Sequence, residues 1–182
     1  MFVGINSLAS STTEDCKCES LQNVKSCSKT DCTVVCKDGY WGEKCEFGRI
    51  RLTSPKGYIT DGITSYIPSS KRVWFIDVEN RANVSIHFQV EEFSTECNWD
   101  HLYIFDGDST DSPLLASLSG YLPGNVNSNR SERIPQDIIA KSGEAYVHFY
   151  SDPNVFSMGF NISYRIIDNC PCVNGKCNTA GL

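Results

Sequence analysis

Five stretches of the chain alternate between apolar and polar residues with a period of two, which is typical of half-buried strands. They are rich in Val, Ile, Phe and Tyr and lie at 72–78, 83–90, 101–107, 145–152 and 159–166. Clusters of Gly, Pro, Asn, Asp and Ser separate them, as turns require, and no window shows a convincing helical period. The pattern predicts an all-β fold, an antiparallel β-sandwich or jelly roll, over about residues 48–168. Its core or rim is expected to contain Trp74, Trp99, Phe105 and Phe149.

Two cysteine-rich segments flank the predicted sandwich. Six of the ten cysteines lie between Cys16 and Cys45, and three more follow the sandwich at Cys170, Cys172 and Cys177. A segment of about 30 residues cannot bury enough surface to fold alone, so disulfides must stabilise it. Spacing alone leaves 15 pairings of six cysteines open. We expect residues 1–15 to be an unstructured linker.

Composition favours an extracellular protein. Dense cysteines suit an oxidising compartment, and three N-x-S sequons mark possible glycans at Asn83, Asn129 and Asn161, of which Asn129 lies in the longest polar loop. The net charge of −6 argues against a nucleic-acid surface. No stretch approaches the 18 apolar residues of a membrane span. Because the partners of the cysteines in the C-terminal run "CPCVNGKCNTAGL" should lie further on, we expect a fragment of a longer ectodomain, with any membrane anchor outside it.

Acidic residues at the ends of predicted strands are the main candidates for chemistry. Glu96 and Asp100 bracket Cys97 just before one strand, and Asp152 ends another. Such acids could be catalytic, could hold a metal ion or could be solvated turn residues. A glycosidase would need its carboxylates across a cleft, which a small sandwich does not offer. A Cys97–His101 dyad is disfavoured, because residues four apart on a strand lie more than about 12 Å apart. We expect no enzyme.

The predicted sandwich resembles a CUB domain. The matching runs occur in order: "SPKGYITDGITSY", "VWFIDV", "TECNWDHLYIFDGD" and "FYSDPN" followed by "GFNISY". The segment at 16–46, which ends in "CKDGYWGEKC", resembles an EGF-like domain, and 170–182 resembles the start of a second, truncated one. Taken together, residues 16–182 look most like the attractin family of large ectodomains.

The resemblance implies a calcium site. A subset of CUB domains holds one Ca²⁺ with a Glu before the C-x-x-D run, that Asp and the Asp of F-x-S-D, supported by a Tyr. The matching positions are Glu96, Asp100 and Asp152, supported by Tyr66, with a possible contribution from Asn154. Either Glu91 or Glu92 could take the place of Glu96. Three crowded carboxylates without a cation should repel, so at least one pKa should rise.

The resemblance also implies a disulfide pattern. An EGF-like domain would pair Cys16–Cys27, Cys18–Cys32 and Cys36–Cys45. Of the two usual CUB bridges, the first would join positions near Gly48 and Arg72, and neither is a cysteine. The second would join Cys97 to the position of Ser119. Cys97 is therefore expected to be buried and unpaired within its own module.

These features predict a non-catalytic extracellular interaction module that binds a protein partner with the help of Ca²⁺. Two other functions remain open. One is an accessory arm of a secreted protease, since CUB and EGF-like pairs also flank such enzymes. The other is a structural spacer that binds no metal. The downstream chain would distinguish the protease arm from the interaction module. A calcium titration would distinguish the metal-free spacer from it.

Overall fold

The chain folds into β-strands, as its alternating pattern predicts. The structure is a computed structural model that describes residues 16, 21–61, 65–78, 83–122, 138–169, 172–173 and 176–177. These residues form two large sheets and two small hairpins. The hairpins are β1 (Val24–Cys27) with β2 (Val34–Cys36), and β14 (Cys172–Val173) with β15 (Lys176–Cys177). Within the described ranges, no helix is long and apolar enough to cross a membrane.

The two large sheets are mainly antiparallel. The six-stranded sheet has the order β3 (Tyr40–Trp41), β4 (Phe47–Leu52), β6 (Lys71–Asp77), β12 (Glu144–Tyr150), β8 (His101–Phe105) and β9 (Leu114–Leu118). Within it, β4 and β6 run parallel. The five-stranded sheet has the order β10 (Tyr121–Leu122), β7 (Val84–Ser94), β13 (Gly159–Asp168) and β5 (Lys56–Thr60), and β11 (Ile138–Ala140) also pairs with β7.

Residues from both sheets form one core. Along β12, Ala145, Val147 and Phe149 are buried, and the residues between them are partly exposed. Phe160 of β13 packs against Phe149 with ring centroids 4.9 Å apart and against Trp74 at 5.9 Å. Edge-to-face aromatic pairs of this kind add about 0.5–1.5 kcal/mol each beyond the area they bury. The sandwich predicted from the period-two pattern is therefore confirmed.

One predicted core aromatic is on the surface. Trp74, Phe105 and Phe149 are buried, but Trp99 is exposed. It lies in the turn that precedes β8, where the alternation of the strand has not yet begun. The period-two alternation determines which side chains are buried only within a strand, so the sequence pattern could not predict whether Trp99 is buried or exposed.

The disulfides at the N-terminal end differ from the predicted EGF-like pairing. Cys36 and Cys45 are joined as predicted, with Cα atoms 5.5 Å apart. Cys16 pairs with Cys32, whose Cα atom lies at 5.3 Å, so the predicted pairs Cys16–Cys27 and Cys18–Cys32 are wrong. The reason is geometric: the loop between β1 and β2 brings Cys32 within bridging distance of Cys16. Cys27 is also disulfide-bonded, whereas Cys18 lies outside the described residues.

Tyr40 and Arg72 occupy the place where the resemblance puts the first CUB bridge. Gly48 and Arg72 are register partners on the parallel strands β4 and β6. A Cβ at Gly48 would meet the Tyr40 ring at 2.9 Å, and the Arg72 guanidinium lies 5.9 Å from the centroid of that ring. Tyr40 belongs to β3, which joins the cysteine-rich segment to the six-stranded sheet. A cation–π contact thus lies at the positions to which the resemblance assigns the first CUB bridge.

Asp61 and Arg72 form a buried polar pair at the same end of the sandwich. Arg72 Nη1 donates to the Asp61 carbonyl at 2.7 Å, and Asp61 Oδ1 accepts the Phe160 N–H at 2.9 Å. Asp61 Oδ2 has no hydrogen-bond partner among the described residues. Burial raises the pKa of Asp61 to about 6, although the hydrogen bonds and the Arg72 charge oppose the rise. The folded chain therefore holds a proton on Asp61 more tightly than the unfolded chain does.

This shift predicts a pH dependence of stability. Because the folded pKa lies above the unfolded one, the contribution of Asp61 grows as the pH falls through about 6 towards 4 and is absent above the folded value. Between about pH 7 and pH 5 we expect a gain of about 1 kcal/mol in the free energy of unfolding. In Asp61→Asn this gain should disappear. Urea unfolding of both proteins at the two pH values measures it, and equal gains in both would contradict the assignment.

Candidate metal centre

The structure brings the three predicted carboxylates together at one end of the sandwich. Glu96, Asp100 and Asp152 each offer a carboxylate oxygen, and these atoms lie within 4.8 Å of one another. Glu96 and Asp100 bound the turn between β7 and β8, and Asp152 follows β12. The alternative acids lie earlier on β7, where the Glu91 carboxylate accepts a hydrogen bond from Ser163 Oγ at 2.8 Å. Glu96, and not Glu91 or Glu92, therefore forms the cluster with Asp100 and Asp152.

Asp100 is the buried centre of this group. Its side chain is fully buried, and both of its carboxylate oxygens accept hydrogen bonds. Oδ1 accepts the Asp152 backbone N–H at 2.8 Å, and Oδ2 accepts the Tyr66 hydroxyl. A buried carboxylate must be compensated in this way because its desolvation costs several kcal/mol. Asp100 thus joins the end of β12 to the start of β8.

Tyr66 connects Asp100 to the backbone of Glu96. The Tyr66 ring is buried and packs edge-to-face on Phe149 with centroids 5.3 Å apart. Its hydroxyl donates to Asp100 and accepts the Glu96 N–H at 3.0 Å. Burial, and then the hydrogen bond to Asp100, raise the pKa of Tyr66 above its usual value, so the hydroxyl keeps its proton. The Tyr66 hydroxyl therefore lies between Asp100 and Glu96, and its supporting role at a metal site stays a prediction.

Asp152 is partly buried and organises the segment that follows it. Its Oδ1 accepts the Asn154 backbone N–H at 2.9 Å, and its Oδ2 accepts the Asn154 side-chain amide at 3.2 Å. Its carbonyl accepts the Ser69 N–H at 2.7 Å, which fixes the backbone. Asn154 therefore presents its amide N–H groups, not its oxygen, to Asp152.

Burial and the two neighbouring carboxylates change the pKa of Glu96. Burial, and then the negative charges of Asp152 and Asp100, raise the pKa of Glu96, while the Val155 N–H opposes the rise by hydrogen bonding. Its Oε2 is a buried atom with no hydrogen-bond partner in the part of the chain that the structure describes. The negative charges of the other two acids thus act on Glu96, whose Oε2 has no hydrogen-bond partner among the described residues.

The turn from Thr95 to Asp100 is held from both sides. Thr95 Oγ1 donates to the Asp100 carbonyl at 3.1 Å and accepts the Gly120 N–H at 3.0 Å. Ser119 Oγ accepts the Asn98 N–H at 2.8 Å. Cys97 has no disulfide partner among the described residues, which agrees with the expectation that it is unpaired within its module, but it is exposed and not buried as expected. Ser119, at the position where the resemblance expects a cysteine, hydrogen-bonds the backbone of that turn at Asn98 and Glu96.

The segment after Asp152 is anchored at its far end by residues that the sequence did not single out. Gly159 has a φ of 92°, and an added Cβ would collide with the Asp61 carboxylate. The same carboxylate holds the N–H of Phe160. A glycine at the start of an alternating strand is a weak signal in a sequence, so this anchor was missed. Asp100 and Asp61 thus fix the two ends of the segment at 153–158.

The predicted glycan sites are only partly within the described residues. Asn83 is exposed, and Asn161 is partly exposed on β13 between the buried Phe160 and Ile162. Asn129 lies outside the described residues. Glycosylation at all three positions stays a prediction.

The acidic site, Glu96 with Asp100 and Asp152, fits a calcium ion in its chemistry. Ca²⁺ takes hard oxygen ligands from carboxylates, backbone carbonyls and water in a flexible geometry. The cluster supplies carboxylate oxygens within 4.8 Å of each other, and Glu96 Oε2 lacks a partner among the described residues. An ion bound there would supply the positive charge that offsets three carboxylates.

Comparison with protein families identifies the sandwich. The sequence model of the CUB domain matches residues 45–164. The tag-53 protein of Caenorhabditis elegans is 42% identical over 153 residues, which is 79% of this chain and 11% of that protein. The rat multiple epidermal growth factor-like domains protein 8 is 36% identical over 142 residues, which is 76% of this chain and 5% of that protein. The chain thus spans a small part of these relatives.

The fold also matches a solved structure. The CUB1-EGF-CUB2 domains of rat MASP-1 superpose with a TM-score of 0.53 at 19% sequence identity, over 74% of this chain and 47% of that one. At this identity the likeness shows the fold and nothing about the ligands.

Proposed function

Since this chain belongs to the CUB domain family, we propose that it is a non-catalytic module of a larger extracellular protein and that it binds a protein partner with the help of one calcium ion. Glu96, Asp100 and Asp152 would hold the ion, and Tyr66 would support them. The larger protein would be an attractin-like ectodomain with further EGF-like modules. The disulfides near the N-terminus and the likeness to a protein named for multiple epidermal growth factor-like domains support this placement.

The unpartnered Glu96 oxygen is the observation that carries the calcium proposal. A solvated acidic turn would leave its carboxylates in water, where each oxygen is satisfied. Here Glu96 Oε2 is buried without a hydrogen-bond partner among the described residues, and its pKa is raised by burial and by Asp152 and Asp100. Burying an unpaired charge is costly unless a counter-ion compensates it. A divalent ion at this position removes the cost.

The charge that remains after binding determines the kind of partner. Three carboxylates carry −3, and one Ca²⁺ brings the site to about −1. A site with this charge attracts a Lys or Arg side chain of a partner. The ion would also fix the carboxylates in one arrangement, so that the partner meets an ordered surface.

A binding role fits Asp100 better than a catalytic one. Both of its oxygens already accept hydrogen bonds, and the side chain is fully buried. A catalytic carboxylate has to come within hydrogen-bond reach of a reacting substrate atom. Asp100 cannot do so without breaking the contacts that hold two strand ends together.

Calcium should stabilise the folded chain. At ten times the dissociation constant, binding to the folded state alone adds about 1.4 kcal/mol to the free energy of unfolding, and at a hundred times about 2.7 kcal/mol. Urea unfolding with calcium or with a chelator measures the gain. In Asp152→Asn, which removes one ligand at a partly exposed position, the gain should disappear.

Asp108→Asn is the matched control, because it makes the same charge change at an exposed turn outside the cluster. It should keep the whole calcium gain. An equal gain in wild type, Asp152→Asn and Asp108→Asn would mean that calcium binds elsewhere. No gain in the wild type at millimolar calcium would favour the metal-free spacer.

A further inference from the structure

Two segments of the chain pass from one large sheet to the other next to the acidic site. The turn at 95–100 leads from β7 of the five-stranded sheet to β8 of the six-stranded sheet, and it supplies Glu96 and Asp100. Ser119 and Gly120 lead in the opposite direction, from β9 of the six-stranded sheet to β10 of the five-stranded sheet. We call these two residues the crossover. The crossover adds no carboxylate to the acidic site, so any effect on the site must act through the turn.

Hydrogen bonds join both residues of the crossover to the turn. The Thr95 N–H donates to the Gly120 carbonyl at 2.9 Å, and the Gly120 N–H donates to Thr95 Oγ1 at 3.0 Å. Ser119 Oγ accepts the Asn98 N–H at 2.8 Å and donates to the Glu96 carbonyl at 3.3 Å. The bonds at Gly120 use only the backbone of the crossover. The bonds to Asn98 and Glu96 depend on the Ser119 hydroxyl.

The Glu96 peptide is held by two hydroxyl groups from different parts of the sandwich. The Tyr66 hydroxyl, which comes from the core, accepts the Glu96 N–H at 3.0 Å. The Ser119 hydroxyl, which comes from the crossover, donates to the Glu96 carbonyl. Asp100 is held separately, because its own carboxylate accepts the Tyr66 hydroxyl and the Asp152 N–H. Ser119 therefore acts on the Glu96 side of the acidic site.

The turn needs such a restraint when no cation is bound. Asn98 has a φ of 67°, a conformation that residues with a Cβ keep only when their surroundings stabilise it. The three carboxylates offer oxygens within 4.8 Å of one another, and like charges at this distance repel. A turn that is free to change its conformation would let the Glu96 carboxylate move away from the other two. Calcium would then have to order the turn again, which weakens binding.

We propose that Ser119 is a positioning residue of the acidic site, whose hydroxyl holds the turn in the conformation that binds calcium and thereby sets the affinity for the ion. This inference rests on the proposed function. It adds that calcium binding is coupled to the crossover, which carries no ligand of its own. Because such coupling is reciprocal, bound calcium should in turn stabilise the contact between the crossover and the turn.

Calcium affinity of three serine variants tests the proposal. Equilibrium dialysis of the folded chains gives the dissociation constant of each. Ser119→Ala should weaken calcium binding by about three- to tenfold, which corresponds to one hydrogen bond, and should still bind one ion at saturation. Ser119→Thr keeps a hydroxyl and should bind as the wild type does. Ser117→Ala makes the same substitution as the first variant at an exposed position of β9, and it should also bind as the wild type does.

Measurements without calcium distinguish positioning from a purely structural role. If Ser119 only supported the fold, Ser119→Ala would lower the stability against urea equally with and without calcium, and the dissociation constant would not change. We expect a larger loss of stability with calcium than without it. We also expect the Asn98 amide hydrogen to exchange faster in calcium-free Ser119→Ala than in the calcium-free wild type, and calcium to reduce this difference.

The outcomes separate this inference from the proposed function. A wild-type chain that binds one ion, with an affinity that Ser119→Ala leaves unchanged, overturns the inference and leaves the calcium site standing. Equal weakening in Ser119→Ala and Ser119→Thr, or in Ser119→Ala and Ser117→Ala, also overturns it, because the Ser119 hydroxyl would then not be what sets the affinity. A wild-type chain that binds no calcium refutes the proposed function itself.

Discussion

Replacing Asp100 by alanine is expected to lower the free energy of unfolding by about 3 kcal/mol and to abolish the response to calcium. The variant leaves the buried Tyr66 hydroxyl and the partly buried Asp152 N–H without the acceptors they have in the wild type. An orphaned buried donor costs about 1–3 kcal/mol. Removing the Asp100 charge also relieves its repulsion with Glu96 and Asp152, and this relief offsets a smaller part of the loss in the free energy of unfolding. Urea unfolding with and without calcium measures both effects.

Asp100→Asn separates structure from metal binding. The amide oxygen can still accept one of the two hydrogen bonds, so this variant should lose less stability than Asp100→Ala. It removes the same negative charge, so its calcium response should be lost to a similar extent. If Asp100→Ala unfolded at the wild-type urea concentration, the hydrogen bonds assigned to Asp100 would not support the fold.

Replacing Gly159 by alanine is expected to destabilise the chain by about 3 kcal/mol, from backbone strain and steric overlap together. Gly159 has a φ of 92°, which residues with a Cβ rarely adopt, and the new Cβ would collide with the Asp61 carboxylate. To make room, Asp61 would have to release the Phe160 N–H, which it binds at 2.9 Å. Thermal or urea unfolding measures the loss.

A double-mutant cycle isolates the contact between the two residues. In an Asp61→Ala background the carboxylate is gone, so Gly159→Ala should cost only the strain of the positive φ and less than in the wild type. Equal costs in the two backgrounds would show that the carboxylate does not limit the space at Gly159. The cycle does not depend on the calcium proposal.

The alternation of apolar and polar residues was sufficient to predict the sandwich. The strands with a clear period of two, such as β6 and β12, have the predicted inward faces, with Trp74 and Phe149 in the core. Strands that are short or lack the alternation were not predicted from the sequence. The residues of β9, Leu114–Leu118, begin with two adjacent apolar residues, and those of β5 include a glycine. Pairing with a neighbour, which local patterns do not contain, makes these segments strands.

The acidic site was predicted from the resemblance to CUB domains, and its residues meet because they lie where strands end. Asp100 before β8 and Asp152 after β12 meet because those two strands pair antiparallel, with Tyr150 opposite His101. The sequence could not predict that Asp100 would accept the Asp152 N–H, because that bond depends on three-dimensional proximity. The Cys16–Cys32 pair depends in the same way on the loop after β1.

The exposed apolar residues next to the acidic site, in sequence, lay outside what local patterns determine. Trp99 was expected in the core or its rim because tryptophan is usually buried, yet it is exposed in the turn before β8. Val155, Phe156 and Met158 follow a strand end without alternation. Their exposure follows from the anchoring of the segment by Asp100 and Asp61, which only the folded chain reveals.

Equilibrium dialysis against calcium tests the central claim most directly. Extracellular calcium modules bind with dissociation constants of about 0.1–1 mM, so millimolar free calcium should load the wild-type chain with one ion per molecule. Asp152→Asn should bind one ion fewer, and Asp108→Asn should bind as the wild type does. A wild-type chain that binds no calcium at this concentration, or that loses none on Asp152→Asn, would contradict the assignment of Glu96, Asp100 and Asp152 as a metal site.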